Sequence, residues 1–528
     1  MQDLPTSPLR TRFQAYSVLI CLAGMALLLF YVLRFAGGHF VYTLDDPYIH
    51  LSLAENLLRG QYGVNIGEVA SPSSSIIYPF LLAITLALGL GEFGPMVLNL
   101  IGAVGATWIL TGVLWDALHK DSTGQVSAFA YVAAPVLLFA LNGYALAFTG
   151  MEHSRHIFVS LCIVVGLLRV SRTSPPGIAL LIAIVAAPLL RFEGFALAGA
   201  ALVALALMGH WTRAITTGVI IVALVAGYMA LMTSLGLPLM PSSVMVKSGP
   251  AAAMATSHFT SIFGEVWQSL RESLQDRQGI VMAIAVALLL AGAVLNKSDP
   301  NARTVALVAA AASVAHLLVG RWNWFGRYEV YIVATALAAL LIVWRPWLSA
   351  AARRMTAPIL IILLAPVVGS TYIYVTYLTP TAAQNVYEQQ YQMHRFATEY
   401  FPESVAVNDL GWVTFQNESY VLDLWGLGSE TARKTFSTQG RTPDAISQLT
   451  DGAGVTYAMV YERAFAGLPA DWCRMAQLRT TQVTSSYDTV EFFLIDPAKS
   501  AAMRAALDAF APTVPGAATL EIFDCPKQ

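Results

Sequence analysis

The sequence predicts an α-helical polytopic membrane protein with about 11 transmembrane helices and a C-terminal extracytoplasmic α/β domain. Of its 528 residues, 56% are hydrophobic and only 12% charged, and the mean hydropathy is +0.61. An ordinary soluble domain carries about 25% charged residues, so the polar surface here is too scarce to cover a globule of this size. That composition excludes a soluble single domain, a disordered chain and a collagen-like one. A net charge of -2 supplies no electrostatic footprint for nucleic acid. Charge also divides the chain: residues 378–528 hold 10 Lys/Arg and 17 Asp/Glu, against 20 and 15 in the first 377. An apolar module over 1–378 is therefore followed by an acidic module over 379–528, the size of one domain.

Apolar stretches approaching the roughly 20 residues that a bilayer requires occur at 14–36, 95–117, 125–148, 156–171, 177–192, 195–210, 213–235, 279–296, 302–320, 328–346 and 356–378. The first follows Arg10 and Arg12 and lacks a small-residue cleavage site, so it reads as a retained helix. A twelfth stretch, 76–90, is shorter and follows Ser71-Pro72-Ser73-Ser74-Ser75. If it stays on one side, every inner connection is basic, as the positive-inside rule demands: Arg10/Arg12, His119/Lys120, Arg172, His210/Arg213, Lys297/Arg303 and Arg345/Arg353/Arg354. If it crosses, the short basic loops after it fall outside. The expected topology therefore has a first outer loop over 37–94 with surface helices, and an external C-terminal domain.

This topology gathers the ionisable residues of the apolar module on one face. Asp45/Asp46, Glu152 with His153 and Arg155, Arg191 with Glu193, Lys247, and Arg321 with Arg327 all fall at outer helix ends. Snorkelling explains any one arginine, but accounts less well for acids and bases together at one leaflet. The first outer loop reads Thr43-Leu44-Asp45-Asp46-Pro47-Tyr48-Ile49-His50 and runs on to Arg59-Gly60. Pro47 suits a first helical position, and Ile49, Leu53 and Leu57 recur at helical spacing, so a short surface helix is expected. Asp46 then sits where an N-cap belongs, and Asp45, one residue outside, is left to point into a cleft as a general base.

The acidic pair, the surface helix and the Arg-Gly stop resemble the GT-C superfamily of membrane glycosyltransferases, which take sugars from polyprenyl-phosphate carriers. Further matches resemble the branch containing bacterial arabinofuranosyltransferases: Thr149-Gly150-Met151-Glu152, Arg191-Phe192-Glu193-Gly194, Pro241-Ser242-Ser243 with Lys247, Gly326-Arg327-Tyr328, Asp409-Leu410-Gly411, and Leu422 to Leu427. The branch reads Arg-Pro-Glu-Gly at the second of these, so Phe192 departs from it. The resemblance implies a multi-pass enzyme of the bacterial cytoplasmic membrane, acting on the outer face. It would pass a sugar, arabinofuranose by the branch, to a hydroxyl of a cell-envelope glycan or protein. It implies Asp45 or Asp46 as base with Glu152 beside them, and Lys247, Arg327, Arg321 or Arg191 on the donor phosphate. Glu193 and His153 would bind the acceptor. The paired carboxylates permit a divalent metal, but no residue spacing requires one. A transporter or lipid-carrier flippase is the competing class; it would show internal repeats and polar groups at mid-membrane.

In the acidic module, 405–407, 457–461 and 489–494 read as buried strands, with helices near 385–400, 428–436 and 498–510. Trp412, Trp425 and Trp472 are candidates either for stacking on acceptor sugars or for core packing. Cys21 and Cys162 lie in apolar runs, whereas Cys473 and Cys525 fall in the external domain, where a disulfide between them can persist. It would tie the strand-like 518–523 to the domain body.

Overall fold

The structure, a computed structural model, describes residues 7–119, 126–243, 259–352 and 355–525. The apolar module opens with α1 (Pro8–Phe35), started by Ser7, whose hydroxyl accepts from Leu9 N. The first loop then carries α2 (Asp46–Leu58) and α3 (Tyr78–Ala87). Next come α4 (Gly94–Leu118), α5 (Ala128–Phe139), α6 (His153–Leu168), α7 (Ile178–Leu190), α8 (Gly194–Leu207), α9 (Trp211–Ser234), α10 (Phe259–Gln275), α11 (Arg277–Leu295), α12 (Pro300–Val319), α13 (Val330–Val343), α14 (Arg345–Ala352), α15 (Thr356–Val368) and α16 (Ser370–Glu388). Asp276 and Asp299 cap α11 and α12, each carboxylate accepting from two backbone N–H groups.

Each of the 11 expected stretches carries a helix, but their lengths differ. Among the described residues, five helices are long and apolar enough to cross a bilayer, and two pairs bent by 71° and 63° raise the number to seven. The apolar helices α5, α6, α7 and α8 have only 12, 16, 13 and 14 residues. Proline contributes to this shortening: Pro135 inside α5 and Pro188 near the end of α7 each remove a ladder donor. The stretch 125–148 becomes α5, irregular turns and a short 3₁₀ turn over Leu146–Thr149. In the 76–90 stretch, α3 has 10 residues, a rise of about 15 Å. That is half of the hydrocarbon core.

α16 runs through the boundary expected at 378, and its end is bound into the acidic module. Asn385 Oδ1 accepts from the N–H groups of Val483, Thr484 and Ser485, and Glu388 Oε2 from Thr481 N. After α17 (Gln390–Arg395), a six-stranded sheet follows: β1 (Val405–Val407), β2 (Val421–Asp423), β3 (Tyr457–Val460), β4 (Cys473–Arg479), β5 (Thr489–Leu494) and β6 (Thr519–Ile522). Its order is β2-β1-β3-β5-β4-β6; the first three strands are parallel and the rest antiparallel. The parallel strands are buried along their whole length, as a sheet covered on both faces requires. The covering helices are α18 (Gly411–Thr414), α19 (Glu430–Gln439), α20 (Pro443–Gly452) and α21 (Ser500–Phe510). Cys473 and Cys525 form a disulfide, which ties the segment after edge strand β6 to the start of β4.

Candidate active site

The acidic pair of the first loop stands at the seam between the two modules. Asp45 directs its carboxylate into the C-terminal domain, where Oδ2 accepts from Gly411 N at 2.7 Å and Oδ1 from Trp412 N at 2.8 Å. These are orphan donors at the start of α18, the turn that follows β1. Glycine is required there: a Cβ on Gly411 would lie 2.1 Å from the Asp45 carbonyl oxygen and 2.6 Å from its carboxylate. Burial and the nearby Asp409 carboxylate push the Asp45 carboxyl above its ordinary range, against the pull of the two N–H donors. Asp409 is itself pushed up by burial, although it accepts from Gln390 Nε2 and lies against the Tyr461 hydroxyl.

Asp46 turns the other way. Its Oδ2 meets Arg327 Nη2 at 2.6 Å; the Asp46 side chain is 25% exposed and that of Arg327 1%. The side chains stand differently from the sequence expectation: Asp46 does not cap α2 with its side chain, and the Asp45 carboxylate is bound by two N–H groups of the C-terminal domain. Capping depends on which way the chain enters the helix. Here the loop is pinned by Thr43 N to Phe148 O and by the approach of Gly150. Gly150 takes φ +67°, and a Cβ there would fall 2.6 Å from Pro47.

Behind Asp46 lies a buried group of ionisable side chains from the ends of α6, α7 and α13. Arg327 and Arg191 flank the Tyr328 ring at 5.1 and 5.5 Å. Arg191 is engaged by two carboxylates: Nη1 donates to Glu152 Oε1 at 2.6 Å, and Nη2 and Nε form a fork on Glu193 at 2.8 and 3.2 Å. Arg191, expected at the donor phosphate, thus has its charge matched by two carboxylates, and Glu193, expected at the acceptor, is paired with Arg191. Cationic capacity remains elsewhere. Nε and Nη1 of Arg327 and all three nitrogens of Arg155 meet no hydrogen-bond partner among the described residues, although they are buried; both ring nitrogens of His153 are likewise without one, as an uncharged imidazole. Arg155 lies 4.3 Å over the Tyr78 ring, and His153 is within electrostatic reach of Arg155, Arg191 and Arg327. Guanidinium N–H groups without acceptors in burial are costly. An incoming anion would satisfy them.

On the exposed side of Asp46 is a cleft of about 820 Å³, lined in part by Glu272, Asp276, Arg321, Asn323, Trp324 and Tyr328. Its wall includes Asn323, Trp324 and Phe325, which with Gly326 form a run of four residues in the left-handed region, at φ 65°, 47°, 63° and 61°. Arg321 lines this cleft and is exposed, apart from the buried cations. Lys247 lies outside the described residues. Asp45 and Asp46 are turned to different partners, and no group of three His, Cys, Asp or Glu side chains suited to a metal is found among the described residues. A divalent cation therefore does not fit the acidic pair as it stands.

Of the two readings open for the tryptophans, sugar stacking or core packing, the structure shows packing. Trp412 is 4% exposed, stacks on Tyr48 with centroids 3.8 Å apart and meets Tyr391 and His394. It seals the seam beside Asp45. Trp425 is covered by Phe465 and by the Arg441 guanidinium at 4.3 Å, and Trp472 packs on Phe493. Two site residues escaped the sequence assignment. Arg155 was visible in the outer cluster but had no motif of its own; Trp324 lies two residues before a quoted motif, and its only signal was an exposed aromatic in a loop.

Fold and site together define a multi-pass helical membrane protein with an acid–base centre where its helix ends meet a C-terminal α/β domain. Residues 384–493 match a family described as a domain of unknown function (DUF8728). No curated protein matches the chain. Among solved structures, it aligns with ArnT from Cupriavidus metallidurans bound to undecaprenyl phosphate at 12% identity and a TM-score of 0.46, over 90% of this chain and 97% of that one. It aligns with the apo oligosaccharyltransferase of Archaeoglobus fulgidus at 12% identity and a TM-score of 0.41, over 92% and 78%. It also aligns with AglB of the same organism, in complex with an inhibitory peptide and a dolichol-phosphate, at 11% identity and a TM-score of 0.41, over 92% and 77%.

Proposed function

We propose that the chain is an inverting GT-C-type glycosyltransferase moving a sugar from a polyprenyl-phosphate carrier to an acceptor hydroxyl on the outer face of the membrane. The observation that carries this reading is the Asp46–Arg327 pair, which stands between an open cleft and buried guanidinium groups with N–H donors left over. Asp46 takes the proton of an acceptor hydroxyl in the cleft. The freed oxygen attacks the anomeric carbon, the bond from that carbon to the phosphate oxygen breaks, and the configuration inverts. The leaving phosphate is a stable anion and needs no proton. One carboxylate therefore suffices, where glycoside hydrolysis needs two. Arg327, with Arg155, receives the developing phosphate charge in a buried site, and His153 can donate one hydrogen bond there. Glu152 and Glu193 hold Arg191 against the Tyr328 ring and so fix the shape of that pocket. Asp45 secures the loop to the C-terminal domain. Arabinofuranose is the sugar the sequence motifs point to, and a cell-envelope glycan or protein the acceptor.

Incubating the purified protein with a panel of polyprenyl-phosphate sugars, polyprenyl-phosphate arabinofuranose among them, tests the proposal. Acceptor-dependent release of lipid phosphate from at least one member is expected. Carrier movement across a vesicle without phosphate release would identify a flippase instead.

A further inference from the structure

We propose that the cleft beside Asp46 is a seat for an uncharged saccharide, with Trp324 as its stacking platform. The proposal rests on the glycosyltransferase reading only in assigning the bound sugar as acceptor. Trp324 is 54% exposed, lines the cleft and holds φ 47° within the run of four left-handed residues. Bulky side chains avoid that region, and a left-handed stretch costs of order 1–2 kcal/mol per residue. The surroundings nevertheless hold it there. Asn323 N donates to Glu329 Oε2 at 2.8 Å, Asn142 Nδ2 donates to the Gly326 carbonyl at 3.0 Å, and the Tyr372 hydroxyl donates to Glu329 Oε1 at 2.9 Å. Trp322 is anchored separately, its indole N–H donating to Ser273 Oγ at 2.7 Å. Backbone strain held from several sides is characteristic of functional turns. What this one achieves is a large aromatic ring raised into an open cleft.

The chemistry of the other walls selects the occupant. With Asp46 matched by Arg327, Glu272 and Asp276 still outnumber Arg321, so a phosphorylated or carboxylated ligand meets like charge. Carboxylates accept hydrogen bonds from vicinal hydroxyls, and an aromatic face covers the C–H side of a sugar ring. A volume of about 820 Å³ lies within the range of small-molecule sites. The anionic donor phosphate is drawn instead to the buried guanidinium groups on the far side of Asp46. The two substrates are thus sorted by charge across one ion pair.

The test is saccharide binding, read separately from turnover. Full-length protein in detergent is applied to an array of neutral oligosaccharides of two to six pentose or hexose units, together with their sulfated and phosphorylated forms. Wild type and Asp46→Asn are expected to bind neutral members and to bind the anionic forms more weakly. Trp324→Ala should lower affinity by about tenfold, the size of a ring-stacking contact, while Trp324→Phe keeps most of it. Three results overturn the proposal: no neutral member binds, anionic forms are preferred, or Trp324→Ala binds as wild type does. The last would make Trp324 an anchor at the membrane surface. If saccharides bind as expected and no lipid-linked sugar is ever consumed, the glycosyltransferase reading falls and the saccharide seat stands. If phosphate is released and binding ignores Trp324, only the seat falls.

Discussion

The carboxylates of Asp45 and Asp46 leave the backbone one residue apart and end on different modules, Asp45 on the N–H groups of Gly411 and Trp412 and Asp46 on Arg327. The latch tolerates no bulk opposite it, so Gly411→Ala should destabilise the seam by ~1–3 kcal/mol, read as earlier thermal unfolding of the purified protein. A pH effect belongs to this scale too. Asp423, fully buried, is pushed up to about 6 by burial, although its carboxylate accepts from the N–H groups of Trp425, Leu427 and Gly428. A carboxyl whose folded pKa is raised costs nothing extra below its ordinary value near 3.9 and destabilises once ionised. Its contribution therefore worsens as pH rises from about 4 to about 6, by ~2–3 kcal/mol in all, and then levels off. Melting temperature measured across that window should fall, and Asp423→Asn should flatten the fall. Sequence alone showed the acidic pair and its basic and acidic companions. It could not divide the pair, because the partner of Asp45 lies 366 residues away.

At the scale of elements, the expected strands 405–407, 457–461 and 489–494 form β1, β3 and β5. These are apolar runs buried in the middle of the sheet, where hydrophobicity speaks most clearly. β2 is three residues long, and β4 carries Arg474, Gln477 and Arg479 with a register shift between Arg474 and Ala476. Neither presents a clean pattern, so both escaped. α20 escaped too, although Thr442 caps it and Pro443 opens it. Span positions were legible from composition, whereas their lengths were not, since Pro135 and Pro188 shorten helices inside runs that stay hydrophobic. The cysteines supply a prediction here. Their separation of 52 residues implies up to ~4 kcal/mol from loop closure, so Cys473→Ser with Cys525→Ser should lower the melting temperature of the domain and loosen β6. Mass spectrometry of non-reduced digests should yield the linked peptide pair, and free thiols at both positions would contradict the bridge.

Across the whole molecule, several of the ionisable groups that the sequence places on one face meet: Asp46 with Arg327, Arg191 with Glu152 and Glu193, and Arg327 and Arg191 about the Tyr328 ring. The far ends of the helices carry a different set, as in the pairing of Arg10 with Asp116. Which end faces the cytoplasm is a separate prediction. Reporter fusions at Gly91 and His119 should place the first outside and the second inside, and the reverse would put the centre on the wrong side for a lipid-linked donor. The C-terminal domain reaches the centre through Gly411 and Trp412, which bind Asp45, and is tied to the membrane module through Asn385 and Glu388 on α16. The account stands or falls on the division of labour at that seam. The most direct measurement is lipid-phosphate release, in the presence of acceptor, by wild type, Asp45→Asn and Asp46→Asn, each verified as folded by its melting temperature. Asp46→Asn should reduce turnover by ~10²–10⁴-fold, and Asp45→Asn, which keeps an oxygen for one of the two N–H donors, by no more than about tenfold. Near-normal release by Asp46→Asn, or its loss in Asp45→Asn alone, would contradict the account.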